Sequence, residues 1–288
     1  MLSPPHAGEL GGEPVRLGVA GWPVAHSRSP AIQNAALAAA GLHGWRYQLL
    51  PVPPGLFAEL VAALPAAGFR GVNVTIPHKP AALELATEPT ARARSIGAAN
   101  TLTFEPGGTV VADNTDAPAL IEALPFEIAG RTALVLGAGG SARAAVWALL
   151  DAGAREVRVW NRTHERARRL AEELGALPAS EAQPADALIN CTAVGLDGSS
   201  PFDRLPVTPG GLSGYGCVVD FVYRSPGGTE LIRAAQAIGV PAVDGLELLV
   251  RQGALSFERF TGLAAPRPAM EAAAGRAGAA GGYGEPQP

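Results

Sequence analysis

The sequence predicts an α/β protein with two domains. Two observations carry this prediction. Segments typical of β-strands alternate with segments of helical periodicity along nearly the whole chain, a pattern typical of parallel sheets with right-handed crossovers. In the second half, a glycine-rich loop joins an apolar strand to a helix within 132–151. The length of 288 residues suits two domains of ordinary size.

In the first half, the strand at 71–76 alternates valine and isoleucine with polar residues. Pro77 ends this strand because proline cannot donate to a β-ladder, and Pro80 predicts an extended backbone at Lys79. A helix begins at Pro30, where the missing N–H is harmless. The first half is therefore predicted to contain strands at 16–20, 47–52 and 71–76, helices at 30–40, 54–64, 80–86 and 90–95, and a hairpin of 101–104 with 109–112 around 106–108.

A second alternating series begins near Asp116, which opens a helix. The segment 132–136 is largely apolar and close to glycines, as expected of a buried parallel strand. The series is predicted to contain strands at 132–136, 157–160, 187–190, 218–221 and 241–243, and helices at 141–151, 165–174, 229–238 and 246–260.

Composition excludes several classes of function. A net charge of -4 without a basic patch argues against a nucleic-acid partner. The sequence has no run of about 18 apolar residues, so it predicts no membrane-spanning helix, and no signal-peptide pattern is present at the start. Cys191 and Cys217 do not make a disulfide framework, and no zinc-ligand spacing occurs. We expect a cytoplasmic monomer or homodimer that binds a small molecule.

The glycine-rich loop has the form G-x-G-x-x-A, the fingerprint of dinucleotide binding. Its first glycine permits a tight turn, its second lets a pyrophosphate approach the backbone, and Ala142 lets helix and strand pack closely. The helix N-terminus supplies free N–H groups. A plain turn between strand and helix is the alternative. The predicted contacts are Gly137, Ala138, Gly139, Gly140 and Ser141.

The end of the next strand favours NADP over NAD. Folds that bind NAD usually place a carboxylate there, about 20 residues on, for the ribose 2′-hydroxyl, whereas this chain has Asn161, Arg162 and Thr163. Arg162 is suited to a 2′-phosphate and to stacking on adenine, and Arg166 lies one helical turn further on. Asn161 and Thr163 are also candidates to cap the next helix, a role compatible with phosphate binding.

Polar residues cluster at predicted strand ends in the first half. Ser27 and Ser29 precede a helix and suit a small anion such as a carboxylate, although Ser29 would equally serve as a helix cap. Lys79 follows a strand end, where ligands bind in α/β proteins, but a surface lysine is the alternative. Asp116 is either a helix-capping carboxylate or the partner of Lys79. As a partner it would hold the ammonium, and the pair could exchange a proton with a substrate oxygen.

Together these segments resemble the shikimate dehydrogenase family over nearly the whole chain between its ends. Each segment is short, but their number, order and spacing make the resemblance specific. The matching segments are 21–30 with Asn34, 73–79, 97–101, 114–116, 137–142, 161–163, 190–192 with Gly195, 220–223 with Pro226 and Thr229, and 245–246 with Gln252.

The resemblance implies an oxidoreductase that reversibly reduces 3-dehydroshikimate to shikimate with NADP(H), in aromatic amino-acid biosynthesis. It implies Lys79 as general acid/base with Asp116 as its partner, and Ser27 and Ser29 as ligands of the substrate carboxylate. The ring and its hydroxyls would be held by Thr75, Asn100, Tyr223 and Gln252, and the nicotinamide side would be lined by Val222 and Gly245. Two positions depart from the family pattern, Gln33 before Asn34 and Ala91, and neither touches the proton-transfer pair.

The predicted domains follow from these assignments. Residues 15–115 form the substrate-binding and catalytic domain, 116–244 a Rossmann-type NADP-binding domain, and 245–274 helices that pack back on the first domain, while 1–14 and 275–288 are predicted to be flexible tails. A quinate/shikimate dehydrogenase of broader substrate or cofactor use is one alternative. Another is a non-catalytic NADP-binding regulatory protein on the same scaffold. A methylenetetrahydrofolate-type dehydrogenase is disfavoured because the two serines would have no purpose there.

Overall fold

The computed structural model describes residues 14–224 and 227–275, so the predicted tails lie outside it except for Pro14 and Gly275. The first sheet is mainly parallel. Its strands are β1 (Val15–Gly21), β2 (Trp45–Pro51), β3 (Phe69–Val74), β4 (Glu88–Pro89), β5 (Thr101–Glu105) and β6 (Thr109–Asp113). The spatial order is β2-β1-β3-β5-β6-β4. Strand β5 runs antiparallel to both of its neighbours, β3 and β6, which confirms the predicted hairpin.

The helices of the first half connect these strands. They are α1 (Ser29–Ala39), α2 (Phe57–Ala63), α3 (Lys79–Glu84) and α4 (Ala91–Ile96). Thr90 caps α4 by accepting a hydrogen bond from the Ala93 N–H, and Gly97 ends the helix in the left-handed conformation at φ 73°.

The second sheet is parallel throughout. Its strands are β7 (Thr132–Leu136), β8 (Glu156–Trp160), β9 (Leu177–Pro178), β10 (Ala185–Asn190), β11 (Tyr215–Asp220) and β12 (Ala242–Val243), in the order β12-β11-β10-β7-β8-β9. The accompanying helices are α5 (Asp116–Ala123), α6 (Gly140–Asp151), α7 (His164–Leu174) and α8 (Glu230–Ala237). All five residues of β7 are buried, as its apolar sequence requires of a strand with helices on both faces. Alanines on the buried face of α6 let it approach the sheet closely.

The last helices, α9 (Gly245–Thr261) and α10 (Arg267–Ala273), return to the first sheet. Asp244 caps α9 by accepting hydrogen bonds from the N–H groups of Leu246 and Glu247. Phe257 and Phe260 of α9 are fully buried in the apolar cluster that also contains core residues of β1 and α1. This placement confirms the predicted fold class.

Two local predictions near Lys79 are wrong. The strand predicted at 71–76 ends at Val74, although the Thr75 N–H still donates to the Ala20 carbonyl at 2.9 Å. Lys79 is the first residue of α3 rather than extended. Its carbonyl accepts a hydrogen bond from the Ala99 N–H at 2.9 Å, and this long-range contact overrides the preference imposed by Pro80.

None of the described helices is long and apolar enough to cross a membrane. Within the described residues, no group of histidine, cysteine and carboxylate side chains is arranged to hold a metal ion.

Candidate active site

Two adjoining cavities contain all of the predicted site residues. The smaller, of about 160 Å³, is lined by Ser27, Ser29, Thr75, Lys79, Asn100, Asp116, Ser141, Val222, Tyr223, Gly245 and Gln252. The larger, of about 730 Å³, is lined by Lys79, residues 137–141, Asn161, Arg162, Thr163 and Arg166. Lys79 and Ser141 line both, so they mark the junction of the two cavities.

Lys79 forms a buried ion pair at this junction. Its Nζ donates to Asp116 Oδ2 at 2.6 Å and to Ser141 Oγ at 2.8 Å. The side chains of Lys79 and Asp116 are only 9% and 8% exposed, so the pair is largely shielded from water and its attraction is stronger than at a surface. The alternative of a surface lysine is therefore wrong.

Asp116 occupies the first turn of α5, where the helix dipole favours a carboxylate. The N-cap residue is Thr115, and the Asn114 side chain accepts from the N–H groups of Asp116 and Ala117 at 3.1 and 3.2 Å. The second carboxylate oxygen, Oδ1, accepts from Asn100 Nδ2 at 2.9 Å. Both oxygens of Asp116 therefore have partners, so its role is not limited to the helix end.

Asn100 links the ion pair to α9. Its Nδ2 also lies 3.3 Å from Gln252 Oε1, and its Oδ1 accepts from the Thr115 N–H at 2.8 Å. Gln252 Nε2 in turn donates to the Leu249 carbonyl at 2.9 Å. The two amide side chains are thus oriented by fixed hydrogen bonds on the floor of the smaller cavity.

Sequence reasoning assigned no role to Asn73 and Tyr47, which brace this floor. The buried Tyr47 hydroxyl donates to Asn73 Oδ1 at 2.8 Å, and Asn73 Nδ2 donates to Ser256 Oγ at 2.8 Å. Burial raises the pKa of Tyr47 well above its ordinary value, so it remains a neutral donor. The sequence signal was a polar residue, Asn73, between Val72 and Val74 in a predicted strand, and the structure buries all three.

Ser27 and Ser29 also line the smaller cavity. The Ser29 N–H donates to Ser27 Oγ at 3.3 Å, and the Arg28 N–H donates to the Tyr223 hydroxyl at 3.3 Å. The N-cap residue of α1 is Arg28, without a side-chain cap, so the alternative in which Ser29 caps the helix is wrong. Both serines are lining residues of the cavity.

The glycine loop forms one wall of the larger cavity. Gly137 has φ 111°, and a β-carbon there would come within 3.2 Å of the Cys191 backbone, so only glycine fits without strain. A β-carbon on Gly139 would meet no atom within 4 Å, which leaves open space above the loop. One on Gly140 would lie 2.7 Å from Lys79 Cβ. Gly140 is therefore required by the lysine stem, a role that the fingerprint did not predict.

The same cavity is lined by the exposed Arg162 and Arg166, and no carboxylate stands at the end of β8. Thr163 is the N-cap residue of α7, but its hydroxyl accepts no capping hydrogen bond. Asn161 Nδ2 donates to the Thr163 carbonyl at 2.9 Å. The N-terminus of α6, Arg162 and Arg166 supply hydrogen-bond donors, and the space over Gly139 leaves room for a pyrophosphate. This combination fits a dinucleotide with a 2′-phosphate.

Asp220 supports the wall formed by Val222 and Gly245, and it too had no assigned role. Its carboxylate accepts from Asn190 Nδ2 at 2.9 Å, from the Thr229 hydroxyl at 2.6 Å and from the Val222 N–H at 3.0 Å. Burial raises the pKa of Asp220 to about 6, although these hydrogen bonds act to lower it. A β-carbon on Gly245 would lie 2.6 Å from the Val222 carbonyl oxygen, so this wall is tightly packed.

Three family models match successive parts of the chain. They describe the shikimate dehydrogenase substrate binding domain (residues 19–102), shikimate / quinate 5-dehydrogenase (120–194) and the shikimate 5′-dehydrogenase C-terminal domain (245–274).

Similar proteins carry the same description. The chain is 46% identical to a shikimate dehydrogenase (NADP(+)) of Methylobacterium radiotolerans, over 87% of this chain and 91% of the relative. It is also 46% identical to one of Anaeromyxobacter dehalogenans, over 88% and 93%. The crystal structure of shikimate 5-dehydrogenase from Thermus thermophilus in complex with NADP(H) and shikimate matches with a TM-score of 0.79 and 41% identity, over 91% of this chain and 99% of that one.

Proposed function

The chain belongs to the shikimate dehydrogenase family, and we propose that it reduces 3-dehydroshikimate reversibly to shikimate with NADPH, using Lys79 as general acid/base. It is an oxidoreductase of the shikimate dehydrogenase (NADP(+)) type with NADP(H) as its cofactor. Aromatic amino-acid biosynthesis is the pathway of this enzyme. The observation that carries the assignment of Lys79 is its ion pair with Asp116 at the junction of the two cavities.

The smaller cavity suits a hydroxylated carboxylic acid. Ser27 and Ser29 would supply hydroxyls for the carboxylate. Asn100 and Gln252 would supply oriented amides for ring hydroxyls, together with Thr75 and Tyr223 of the same cavity. An analogue that lacks a hydroxyl would leave one of these buried polar groups unpaired, which is an effective way to reject it.

The ammonium of Lys79 has three N–H donors, and Asp116 and Ser141 use two of them. The third is available to the substrate oxygen. When bound, NADPH supplies the hydride, and Lys79 donates a proton to the oxygen that develops negative charge. In the opposite direction, neutral Lys79 accepts this proton. Asp116 holds the lysine in place through one carboxylate oxygen, and Asn100 supports the other oxygen.

Arg162 and Arg166 would bind the 2′-phosphate that distinguishes NADP from NAD. A second candidate function is a quinate/shikimate dehydrogenase, because the model matched by residues 120–194 describes both substrates. Rates with quinate and shikimate, each measured with NADP+ and NAD+, separate the two candidates.

The test of the main proposal is NADPH oxidation by the purified protein with 3-dehydroshikimate. Lys79→Met keeps an unbranched stem against Gly140 but removes the amine, so we expect turnover to fall by about 10²-fold to 10⁴-fold while NADP+ affinity changes much less. Arg94→Ala, at an exposed position outside both cavities, is a control that should retain turnover. Absence of turnover in the wild type would refute the proposed activity, and equal losses of turnover and affinity in Lys79→Met would refute the role of the lysine.

Three further parts of the assignment remain proposals. We propose domains at 15–115 and 116–244 with C-terminal helices at 245–274. We also propose that the protein is cytoplasmic and that it is a monomer or homodimer.

A further inference from the structure

Ser141 is the point at which the dinucleotide cavity contacts the proposed proton carrier. It is the second residue of α6, in the first turn after the glycine loop. Its Oγ accepts a hydrogen bond from Lys79 Nζ at 2.8 Å across 62 positions of sequence. Because Ser141 lines both cavities, a ligand in either one can reach its side chain.

A serine hydroxyl has one donor and two acceptor sites. The Lys79 contact uses an acceptor site, and no acceptor for the Ser141 O–H is found among residues 14–224 and 227–275. The same hydroxyl can therefore accept from the ammonium and donate to an anionic oxygen in the larger cavity. Hydrogen bonds that share an atom in this way strengthen one another.

Gly140 allows this close contact. The absence of a β-carbon lets the Lys79 stem pack directly against the loop, since a β-carbon would lie 2.7 Å from Lys79 Cβ and 3.0 Å from its Cδ. The lysine is thus held by the carboxylate of Asp116 on one side and by the loop on the other.

We infer that Ser141 is a positioning residue that couples binding of the dinucleotide phosphates to the side-chain amine of Lys79 through their hydrogen bond. The inference rests on the proposed function, in which the larger cavity holds NADP(H) and Lys79 carries the proton. When a phosphate oxygen accepts a hydrogen bond from the Ser141 hydroxyl, Ser141 Oγ becomes a better acceptor for the Lys79 ammonium. Because such coupling is reciprocal, the charge on Lys79 must also strengthen NADP+ binding through Ser141.

The deciding experiment is a double-mutant cycle on NADP+ affinity, measured by calorimetry without substrate. Lys79→Met should weaken NADP+ binding by about tenfold in the wild-type background, since a hydrogen bond to a charged group is removed. In the Ser141→Ala background the effect of Lys79→Met should be at least about threefold smaller, and what remains is direct attraction between charges. Ser141→Thr retains the hydroxyl and should restore the full effect.

Thr163→Ala provides the matched control, because Thr163 is another hydroxyl of the same cavity and none of its described hydrogen bonds involves Lys79. In that background the effect of Lys79→Met should be unchanged. The inference is overturned if Lys79→Met has the same effect with and without the Ser141 hydroxyl, or if Thr163→Ala reduces the effect equally.

A second measurement uses the fact that Lys79 is the only lysine of the chain. In the cofactor-free protein, Ser141→Ala should label at Lys79 about three to ten times faster with an amine reagent, since one of the two hydrogen bonds that hold the amine against the protein is lost. Ser141→Thr should label at the wild-type rate, and equal rates in Ser141→Ala and the wild type would contradict the inference. Neither measurement requires turnover, so failure of the proposed reaction and failure of this coupling give different results.

Discussion

Two adjacent glycines of the loop should respond in opposite ways to the same substitution. Gly139 is the N-cap residue of α6 and Gly140 is its first residue, and each becomes alanine by addition of one carbon atom. The added carbon of Gly139→Ala meets no atom within 4 Å, whereas that of Gly140→Ala lies 2.7 Å from Lys79 Cβ. We therefore expect the first variant to lose cofactor affinity and the second to lose turnover.

The magnitudes follow from these distances. Gly139 has φ -96° and ψ -171°, an extended conformation open to alanine. Gly139→Ala should therefore stabilise the protein by about 0.4–1 kcal/mol, because alanine lowers the conformational entropy of the unfolded chain. Gly140→Ala must move the lysine stem from 2.7 Å to at least the 3.4 Å of an ordinary contact. Such overpacking costs about 1–3 kcal/mol, partly offset by up to about 1 kcal/mol of helix propensity. The displaced amine should lower kcat by roughly 10²-fold, the cost of a misplacement of about 1 Å.

The assays are urea unfolding, NADP+ titration by calorimetry and steady-state turnover. Gly139→Ala should bind NADP+ at least about tenfold more weakly, since its β-carbon fills the space that a pyrophosphate would approach. Gly140→Ala should change this affinity less than it changes kcat. Wild-type turnover in Gly140→Ala, or unchanged NADP+ affinity in Gly139→Ala, would refute the reasoning from packing.

Three other substitutions test charge and protonation. Asp220 has a folded pKa of about 6 against an ordinary value of 3.8, so its contribution to stability is fully present below about pH 4 and is lost as pH rises through about 6. Relative to Asp220→Asn, the wild type should lose about 3 kcal/mol of unfolding free energy between about pH 3 and pH 8, and a pH-independent difference in urea unfolding would contradict this. Lys79→Arg keeps a charge beside Asp116 but cannot release a proton, so turnover should fall by at least about 10²-fold while circular dichroism still reports a folded protein. Arg162→Ala should weaken NADP+ binding by about tenfold or more and leave NAD+ binding nearly unchanged, and equal losses for the two would show that Arg162 does not contact a 2′-phosphate.

Much of the fold could be predicted because its buried elements have strong local patterns. The strand at 132–136 coincides with β7, since an apolar run with a glycine turn at its end is unambiguous. The two-residue strands β4 and β9 were missed because so short a segment has no period to detect. The start of α3 at Lys79 was missed because a hydrogen bond from Ala99, distant in sequence, determines it.

The site was predictable as a set of residues but not as a network of contacts. The motifs predicted Lys79, Asp116 and Asn100, since each lies in a recognisable segment. The contact between Lys79 and Ser141 spans 62 positions, and that from Arg143 Nε to the Ile96 carbonyl, at 2.7 Å, spans 47. Neither leaves a local pattern in the sequence, because such contacts depend on how the two sheets are placed against each other.

One signal in the composition singles out the lysine without any structure. The chain has 22 lysine and arginine residues, and Lys79 alone is lysine. Wherever a fixed positive charge is enough, as in the ion pairs of Arg92 with Asp113 and of Arg143 with Glu173, the chain has arginine. A guanidinium satisfies a carboxylate as well as an ammonium does, but it does not give up its proton, whereas a lysine does so readily when buried. The ion pair with Asp116 could be made by arginine, so the chain's bias toward arginine would be expected to extend to this position if the pair were only structural. Because position 79 is lysine despite this bias, we infer that residue 79 must exchange a proton, which is the role proposed for it.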